Sequence, residues 1–508
     1  MAEGLLTVVQ FIINGKCLPN LSKVRAVDID INAIHTYKAN LEHEDVNLYF
    51  GSVNNFLFNV VTGRNRHLPK RGDIDFILAG SPCQGFSNAN VTGHESLKSL
   101  SNSALVCTTI SAIDFYRPKY AILENVPAMA STRNYRGQTV NVSNQIMCAL
   151  IGMGYQCRCL LLDAWHFGAP QSRTRLFIEV AAPGCALPEI PYGSHAHPSY
   201  MKSRAVGKTA ANIKFAERNL NTLTSFPPVK LEDSWGDLPK IGNGHLGVCI
   251  PYPDHKTFWT ANARDRGLIA HIPHVESHNQ SRPARHGGYA EALQRGLIPD
   301  HLKLKKITPE LDKRFTRIPG SGLAPTITCT VTPWSRICGR ILHPCEDRVV
   351  TNMEAKRAQG FFDTDVLVGR PSHAFRIIGN SVCRQVAFAL GGKLAEAVKK
   401  GPEGSGKGIV GKDLPSRRIE TDKVKISEFP ATLKSTNFMV LIKSRPKMAF
   451  AGDLERTESE DMDISRDSVG ANFTSEERVN SSAGSVTSTP RKRIRIIVDD
   501  ESGEGSSL

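Results

Sequence analysis

Between about residue 24 and residue 180 short apolar runs alternate with amphipathic stretches, and this alternation limits the possible folds more than any other feature. VRAVDID reads as a strand ending in acids, INAIHTYKANL as an amphipathic helix and DIDFILAG as a second strand. SNSALVCTTISAIDFY and NQIMCALIGMGY read as helices, with RPKYAILENV, QCRCLLLDA and RTRLFIEVAA as strands. The pattern predicts an α/β domain built on a mostly parallel sheet. Functional groups of such sheets gather in loops beyond the carboxyl ends of the strands. Asp28, Asp30, Cys83 and Glu124 all fall at such ends.

From about residue 181 to 310 the texture changes: Pro, Gly and His become frequent, periodicity fades, and Arg282, Arg285, Lys303, Lys305 and Lys306 recur. This stretch is expected to be a smaller, loop-rich region. Compact character returns over 311–399 and closes with SVCRQVAFALGGKLAEAVKK, a helix. The expected organisation is therefore a first part of the α/β domain (1–180), the loop-rich region (181–310), a closing part (311–399) and a tail (400–508) too rich in Gly, Ser, Glu and Lys to hold a core and mostly disordered. PRKRIRI, Pro490 to Ile496, reads either as a nuclear address or as an ordinary solvated charge run. The N-terminal MAEGLLTVVQFIINGK lacks the marks of a signal peptide, and its short apolar run reads as a strand. No run approaches the roughly 20 apolar residues of a membrane span. Twelve scattered cysteines fit a reducing compartment. A net charge of +14 points to an acidic partner, of which nucleic acid is the commonest.

Four segments carry chemistry. In DFILAGSPCQGFSNAN, Pro82 fixes the backbone before Cys83, so the thiol is held at a turn, either as a nucleophile or as a compact packing residue. AILENV puts Glu124 at a strand end, where partial desolvation makes it a candidate acid; the alternative is a turn or capping carboxylate. GAPQSRTRLFI places Arg173 and Arg175 two apart at a strand start, on one face, to grip a carboxylate, phosphate or base carbonyl, or simply to form a surface ion pair. In RIIGNSVCRQVAFAL, Gly379 and Asn380 precede a helix, where backbone amides can hold a polar ligand or merely start the helix. Histidines at 195, 197, 271, 274, 278 and 286 include His-x-His and His-x-x-His spacings, but no CxxC joins them, so no metal is expected.

In this order the four segments closely resemble the cytosine-5 DNA methyltransferase family. SPCQGFS matches its Pro-Cys nucleophile motif, AILENV its Glu-Asn-Val motif, PQSRTR its Gln-x-Arg-x-Arg motif and GNSV its last motif, over roughly residues 24–399. The resemblance implies a Rossmann-like S-adenosyl-L-methionine-dependent fold, with 181–310 as the target-recognition region. It implies that Cys83 is the nucleophile, that Glu124 bonds the ring nitrogen and exocyclic amine, and that Arg175 with Arg173 holds the base carbonyl and the neighbouring carboxylate. NANVTGHESLKSL after Ser87 would be the lid over the base. For the cofactor it implies Asp28 on the ribose hydroxyls and Ile29 against adenine, with Pro82, Leu105 (nineteen residues before Glu124), Asn380 and Val382 as further contacts. The implied partner is double-stranded DNA with a flipped cytosine, and the implied compartment is the nucleus. PKRGDIDFILAGSPCQGFS, YRPKYAILENV, LLDAWHFGAPQSRTRLFI, LPKIGNG and CIPYPDH resemble fungal methyltransferases of the RIP-defective type, linked to silencing or mutation of repeated DNA. The tRNA-methylating branch usually carries Pro-Pro-Cys-Gln-Pro-Phe, unlike Ser-Pro-Cys-Gln-Gly-Phe here.

The sequence departs from the family in its cofactor half. Where a Phe-x-Gly-x-Gly-Gly loop should cradle the methionine part, VVQFIINGKCLPNLSK has one glycine, Gly15. The acidic residue expected after the glycine of a Gly-Asp pair is Ser52, following Gly51. Two readings follow: an active DNA (cytosine-5-)-methyltransferase, or a catalytically silent DNA-binding silencing factor on the same fold.

Overall fold

A computed structural model describes residues 2–7, 21–40, 46–83, 85–87, 96–135, 138–208, 211–218, 220, 224–242, 251–257, 263–274, 288–304, 314–333, 335, 340–400 and 495–498. The chain divides into two compact units, Met1–Arg417 with Arg495–Leu508, and Arg418–Ile494; every described residue lies in the first.

In chain order the elements are β1 (Ala2–Thr7), β2 (Leu21–Asp28), α1 (Ile31–Asn40), β3 (Val46–Phe50), α2 (Val53–Thr62), β4 (Phe76–Gly80), α3 (Leu97–Tyr116) and β5 (Tyr120–Asn125). A small hairpin of β6 (Arg133–Tyr135) and β7 (Gln138–Val140) leads into α4 (Val142–Gly152), β8 (Gln156–Asp163), β9 (Gln171–Ser172) and β10 (Thr174–Ala181). Then come a hairpin of β11 (Ala205–Lys208) and β12 (Lys214–Glu217), and short helices α5 (Leu231–Trp235), α6 (Ala263–Ile269) and α7 (Tyr289–Gln294). The last elements are β13 (Ala324–Pro325), α8 (Asn352–Gln359), α9 (Pro371–Asn380), α10 (Arg384–Lys400) and β14 (Arg495–Val498).

The main sheet has the order β14-β3-β2-β1-β4-β5-β10-β8. It is parallel from β14 to β5, whereas β10 runs antiparallel to both β5 and β8. The order reverses between β1 and β4, and ligands of doubly wound sheets bind beyond the carboxyl ends at such a switch point.

Side chains along a strand point alternately to opposite faces, and the core obeys that period. Phe76, Leu78, Tyr120 and Ile122 pack on one face with Ile34 and Tyr37 of α1 and Val386, Leu390 and Leu394 of α10. Ile77, Ala79, Ala121 and Leu123 pack on the other with Phe56 of α2, Ile110 and Ile113 of α3 and Ile146 and Leu150 of α4. The strands are buried on both faces, which is why they read as unbroken apolar runs. A third core joins Leu231, Trp235, Leu268 and Tyr289 to Val350, Ala355, Phe375 and Ile378. The stretches 181–310 and 311–399, read apart in the sequence, thus share an interior. At its rim Arg348 is buried between Glu346 (2.8 Å) and Glu354 (2.7 Å).

The helices and strands read between residues 24 and 180 and the closing helix are present, with ends shifted by a few residues; β3 and α2 are the longest of the elements added among them before β4. Ser52 caps α2 by accepting from the Asn54 amide, and Gly63 ends it in the left-handed region at φ 66°. One expectation changes. Gly379 and Asn380 close α9 rather than open the helix that follows, because Pro371 starts α9 and α10 begins only at Arg384. Of the tail, residues 495–498 form an edge strand; the rest of 401–508, with most of PRKRIRI, lies outside the described residues, as do most of the expected lid and Arg282, Arg285, Lys305 and Lys306. No helix among the described residues is long and apolar enough to cross a membrane.

Two glycines should respond oppositely to alanine. A Cβ at Gly379 would stand 2.2 Å from the Thr328 carbonyl oxygen, so Gly379→Ala is expected to cost about 1–3 kcal/mol. Gly392, within α10, has nothing within 4 Å, and Gly392→Ala should stabilise by roughly 0.5–1 kcal/mol. Urea unfolding midpoints of the two variants check both signs.

Candidate active site

The turn after β4 places Cys83. Phe86 and Ser87 donate their amides to the Cys83 carbonyl at 2.9 and 2.8 Å, which curls the chain just beyond the thiol. Asn125 holds the turn from β5 by donating its side-chain amide to the Ser81 carbonyl at 3.1 Å. Ser81 also meets Thr109 of α3, 3.3 Å between hydroxyls. Gly85 lies against α3: a Cβ there would come within 1.8 Å of Ser103 Oγ and 2.5 Å of the Ser99 carbonyl oxygen. Glycine is required for that close approach.

Glu124 pairs with Gly80 on β4 and with Phe177 on β10. It is 5% exposed, and Arg175 Nε meets its Oε1 at 3.0 Å. Both charges act on the half-buried Cys83. Burial is the largest influence and pushes the thiol above the ordinary cysteine range; Arg175 pulls it down, Glu124 pushes it up, and Arg173 pulls it down. Cys83 rests as a thiol whose ionisation depends on the balance of its neighbours.

Arg173 does not stand beside Arg175 on the strand. It sits between β9 and β10, is 3% exposed, and donates to the carbonyls of Ile327 (3.1 Å), Gly379 (3.0 Å) and Ser381 (2.7 Å). Its charge still reaches Cys83 and Glu124, but its hydrogen bonds serve the backbone. Gln171 works alongside, donating to the Ala358 carbonyl at 3.0 Å and accepting from the Ile327 amide at 3.0 Å.

One strand beyond β1, the end of β2 carries two of the expected cofactor residues, Asp28 and Ile29. Asp28 is 9% exposed, and burial pushes its carboxyl up to about 6, against the pull of the Asp30 amide that donates to it at 2.7 Å. Ile29 beside it is 73% exposed, an apolar side chain standing open at the strand end. Arg376 of α9 reaches Asp30 at 2.7 Å. Asn380 accepts from the Cys329 thiol at 2.7 Å, and Val382 is buried in the core with Cys383. Pro82 and, on α3, Leu105 are half-buried. Ser52 spends its hydroxyl on capping α2, and residues 8–20 lie outside the described residues.

A surface cleft of about 480 Å³, lined by Asn59, Arg64, Asn65, Arg66 and His67, lies past the far end of α2, at the opposite end of the sheet from these groups. His195 and His197 belong to a ring cluster: His197 lies 4.2 Å from His166 between centroids and accepts from Trp165 Nε1 at 3.0 Å. Burial, then the neighbouring imidazoles, push His166 down to about 4. Among the described residues no group of three or more His, Cys, Asp or Glu is arranged to hold a metal ion.

Asn125 and Gln171 lie within the quoted motifs, but nothing in the sequence gave them partners. Arg133, considered below, carried no sequence signal.

Two predictions follow from the charges. Asp28 costs folding energy above the unfolded pKa: no difference below pH 3.8, a growing penalty toward pH 6, and a plateau of about 3 kcal/mol above it. Asp28→Asn should therefore be more stable than the parent chain at pH 7 and equal to it near pH 3, in urea titrations across that range. At Cys83, Arg175→Met should raise the thiol pKa further and Glu124→Gln should lower it, measured from the pH dependence of alkylation mapped to that residue.

A model of the C-5 cytosine-specific DNA methylase family matches residues 18–396. DNA (cytosine-5)-methyltransferase 1B of Oryza sativa subsp. japonica is 32% identical over an alignment of 356 positions that covers 65% of this chain and 22% of that protein. DNA (cytosine-5)-methyltransferase 1 of Mus musculus is 28% identical over an alignment of 396 positions that covers 65% of this chain and 24% of that protein. The S. pombe Dnmt2 methyltransferase structure aligns with a TM-score of 0.39 at 12% identity, over 79% of this chain and 99% of that one. The chain spans less than a quarter of the length of these two curated relatives. With the matched span running from the start of β2 into α10, this chain belongs to the C-5 cytosine-specific DNA methylase family.

Proposed function

We propose that the protein transfers a methyl group from S-adenosyl-L-methionine to carbon 5 of cytosine in DNA. The observation that carries this reading is the convergence of Cys83, Glu124 and Arg175 at the ends of β4, β5 and β10. The end of β2 suits the adenosine part of the cofactor, with a buried carboxylate at Asp28 as acceptor and an open apolar face at Ile29. Asp28, Ile29, Pro82, Leu105, Asn380 and Val382 would hold it; bound there, it supplies an electrophilic methyl group on a sulfonium.

Cys83 gives up its proton and bonds carbon 6 of the base, turning carbon 5 into the nucleophile of an enamine. Glu124 bonds the ring nitrogen and exocyclic amine. When that carboxylate carries or shares a proton it no longer opposes ionisation of Cys83, while Arg175 still favours it. Arg175 holds Glu124 and the base carbonyl together, and Arg173 positions the strand that carries it. After methyl transfer a base removes the carbon 5 proton, those electrons re-form the double bond between carbons 5 and 6, and Cys83 leaves as the thiolate, which then regains a proton. This geometry needs a base outside the stack, so the substrate is duplex DNA with a flipped cytosine. The finer reading is a fungal RIP-defective-type enzyme acting in the nucleus on repeated DNA; the wording around the motifs and the basic Pro490–Ile496 support it.

A second reading, a silent DNA-binding silencing factor on the same fold, is favoured by the missing glycine loop. Calorimetry with S-adenosyl-L-methionine separates the two: binding lost in Asp28→Ala supports the enzyme, and no binding by the parent chain supports the silent factor. With labelled cofactor and a cytosine-containing duplex, Cys83→Ser should lower transfer by at least about 10³-fold and Glu124→Gln by about 10²-fold or more.

A further inference from the structure

The turn that carries Cys83 is gripped from a side the family motifs do not account for. Arg133 opens β6, nine residues after Glu124, and is half-buried. Its guanidinium donates to the Gly85 carbonyl at 3.0 Å, to the Phe86 carbonyl, and to the Ala128 carbonyl at 3.3 Å. The first two acceptors lie in the turn just past Cys83; the third lies in the short helical turn Pro127–Ala130 that follows the Glu124 strand. The guanidinium carbon also stands 5.9 Å from the centre of the Phe86 ring. On the opposite side the Gly85 backbone lies directly on α3, too close for any side chain. The turn is thus wedged between a helix and a three-carbonyl clamp. The amides of Phe86 and Ser87 that hold the Cys83 carbonyl belong to the clamped residues or adjoin them.

We propose that Arg133 is a positioning residue for the nucleophile: it locks the Cys83 turn to the segment that bears Glu124, so that thiol and carboxylate keep one spacing through the reaction. It touches neither base nor thiol in this role. A planar fork with fixed donors can serve three carbonyls at once, and an ammonium group cannot. Displacements of about 1 Å at a reacting centre can cost on the order of 10² in rate, which sets the size of effect expected.

The inference rests on the methyl-transfer reading, and the experiment has two arms so that the two can fail separately. The first needs no activity: iodoacetamide labelling of Cys83 at pH 8, quantified by peptide mapping in the full-length chain. Arg133→Gln should label several-fold faster than the parent, with Arg133→Lys in between; an unchanged rate in both variants overturns the clamp whether or not the chain methylates DNA. The second arm is steady-state methyl transfer to a cytosine duplex. Arg133→Gln should lose about 10- to 100-fold in kcat with KM for DNA and cofactor within about twofold, and Arg133→Lys should recover part of it. A KM for DNA rising in step with the loss would make Arg133 a DNA contact and overturn the proposal. Absence of transfer by the parent chain would count against the enzyme reading, and the labelling arm would still decide on Arg133.

Discussion

A buried guanidinium paired with no carboxylate joins the two halves of this domain. Arg173 leaves the sheet between β9 and β10 and donates to carbonyls at 327, 379 and 381, residues that follow it by more than 150 positions. Burial, and then the charge of Arg175, push it down to about 9, so it stays charged at neutral pH at some cost. The acceptors explain why that cost is bearable. The carbonyls of Gly379 and Ser381 stand at the carboxyl end of α9, where a helix leaves its last carbonyls without partners and its dipole favours a cation. Gly379 makes the arrangement possible, because only a residue without a side chain lets α9 approach Thr328 closely enough for one nitrogen to reach both the Ile327 and Gly379 carbonyls. The closing part is thereby fixed to the strand that carries Arg175.

The same guanidinium explains how the active site tolerates its own charges. Glu124 is almost wholly buried, and alone it would both resist ionisation and oppose ionisation of Cys83. Arg175 is its direct partner at 3.0 Å, while Arg173 adds a second positive charge from behind without a hydrogen bond to either group. The division is geometric: Arg175 meets the Glu124 carboxylate and Arg173 meets the backbone. An ion pair read from two arginines spaced two apart does not separate those roles. The structure separates them because the strand begins at Thr174, after Arg173.

How much of this was legible depends on where each residue's partners lie in the chain. The strands around Cys83 and Glu124 were readable because a doubly covered sheet writes itself as apolar runs, and the residues at their ends follow from the runs. Helix α2 and strand β3 are short and carry weaker patterns; α2 owes its limits to a cap at Ser52 and a left-handed Gly63 rather than to periodicity. The placement of Gly379 and Asn380 was misjudged because a helix end and a helix start are separated there by only three residues, Ser381 to Cys383. Arg133 was invisible, since its acceptors are carbonyls, which any residue supplies, and its position has no periodic mark. The shared third core was hidden for a related reason: its members come from stretches separated by segments with no common pattern.

The cofactor half shows what the topology demands even where the motif is absent. β1 fills the central slot of the sheet, parallel to β2 and to β4, at the switch point. Between Thr7 and Leu21 stand the thirteen residues 8–20, and parallel neighbours need a crossover of about a dozen residues or more. The end of β2 keeps a feature that stability alone would discard: a carboxylate held up to about 6 by burial, beside an isoleucine open to solvent. A partner offering hydroxyl donors and an apolar face would satisfy both at once.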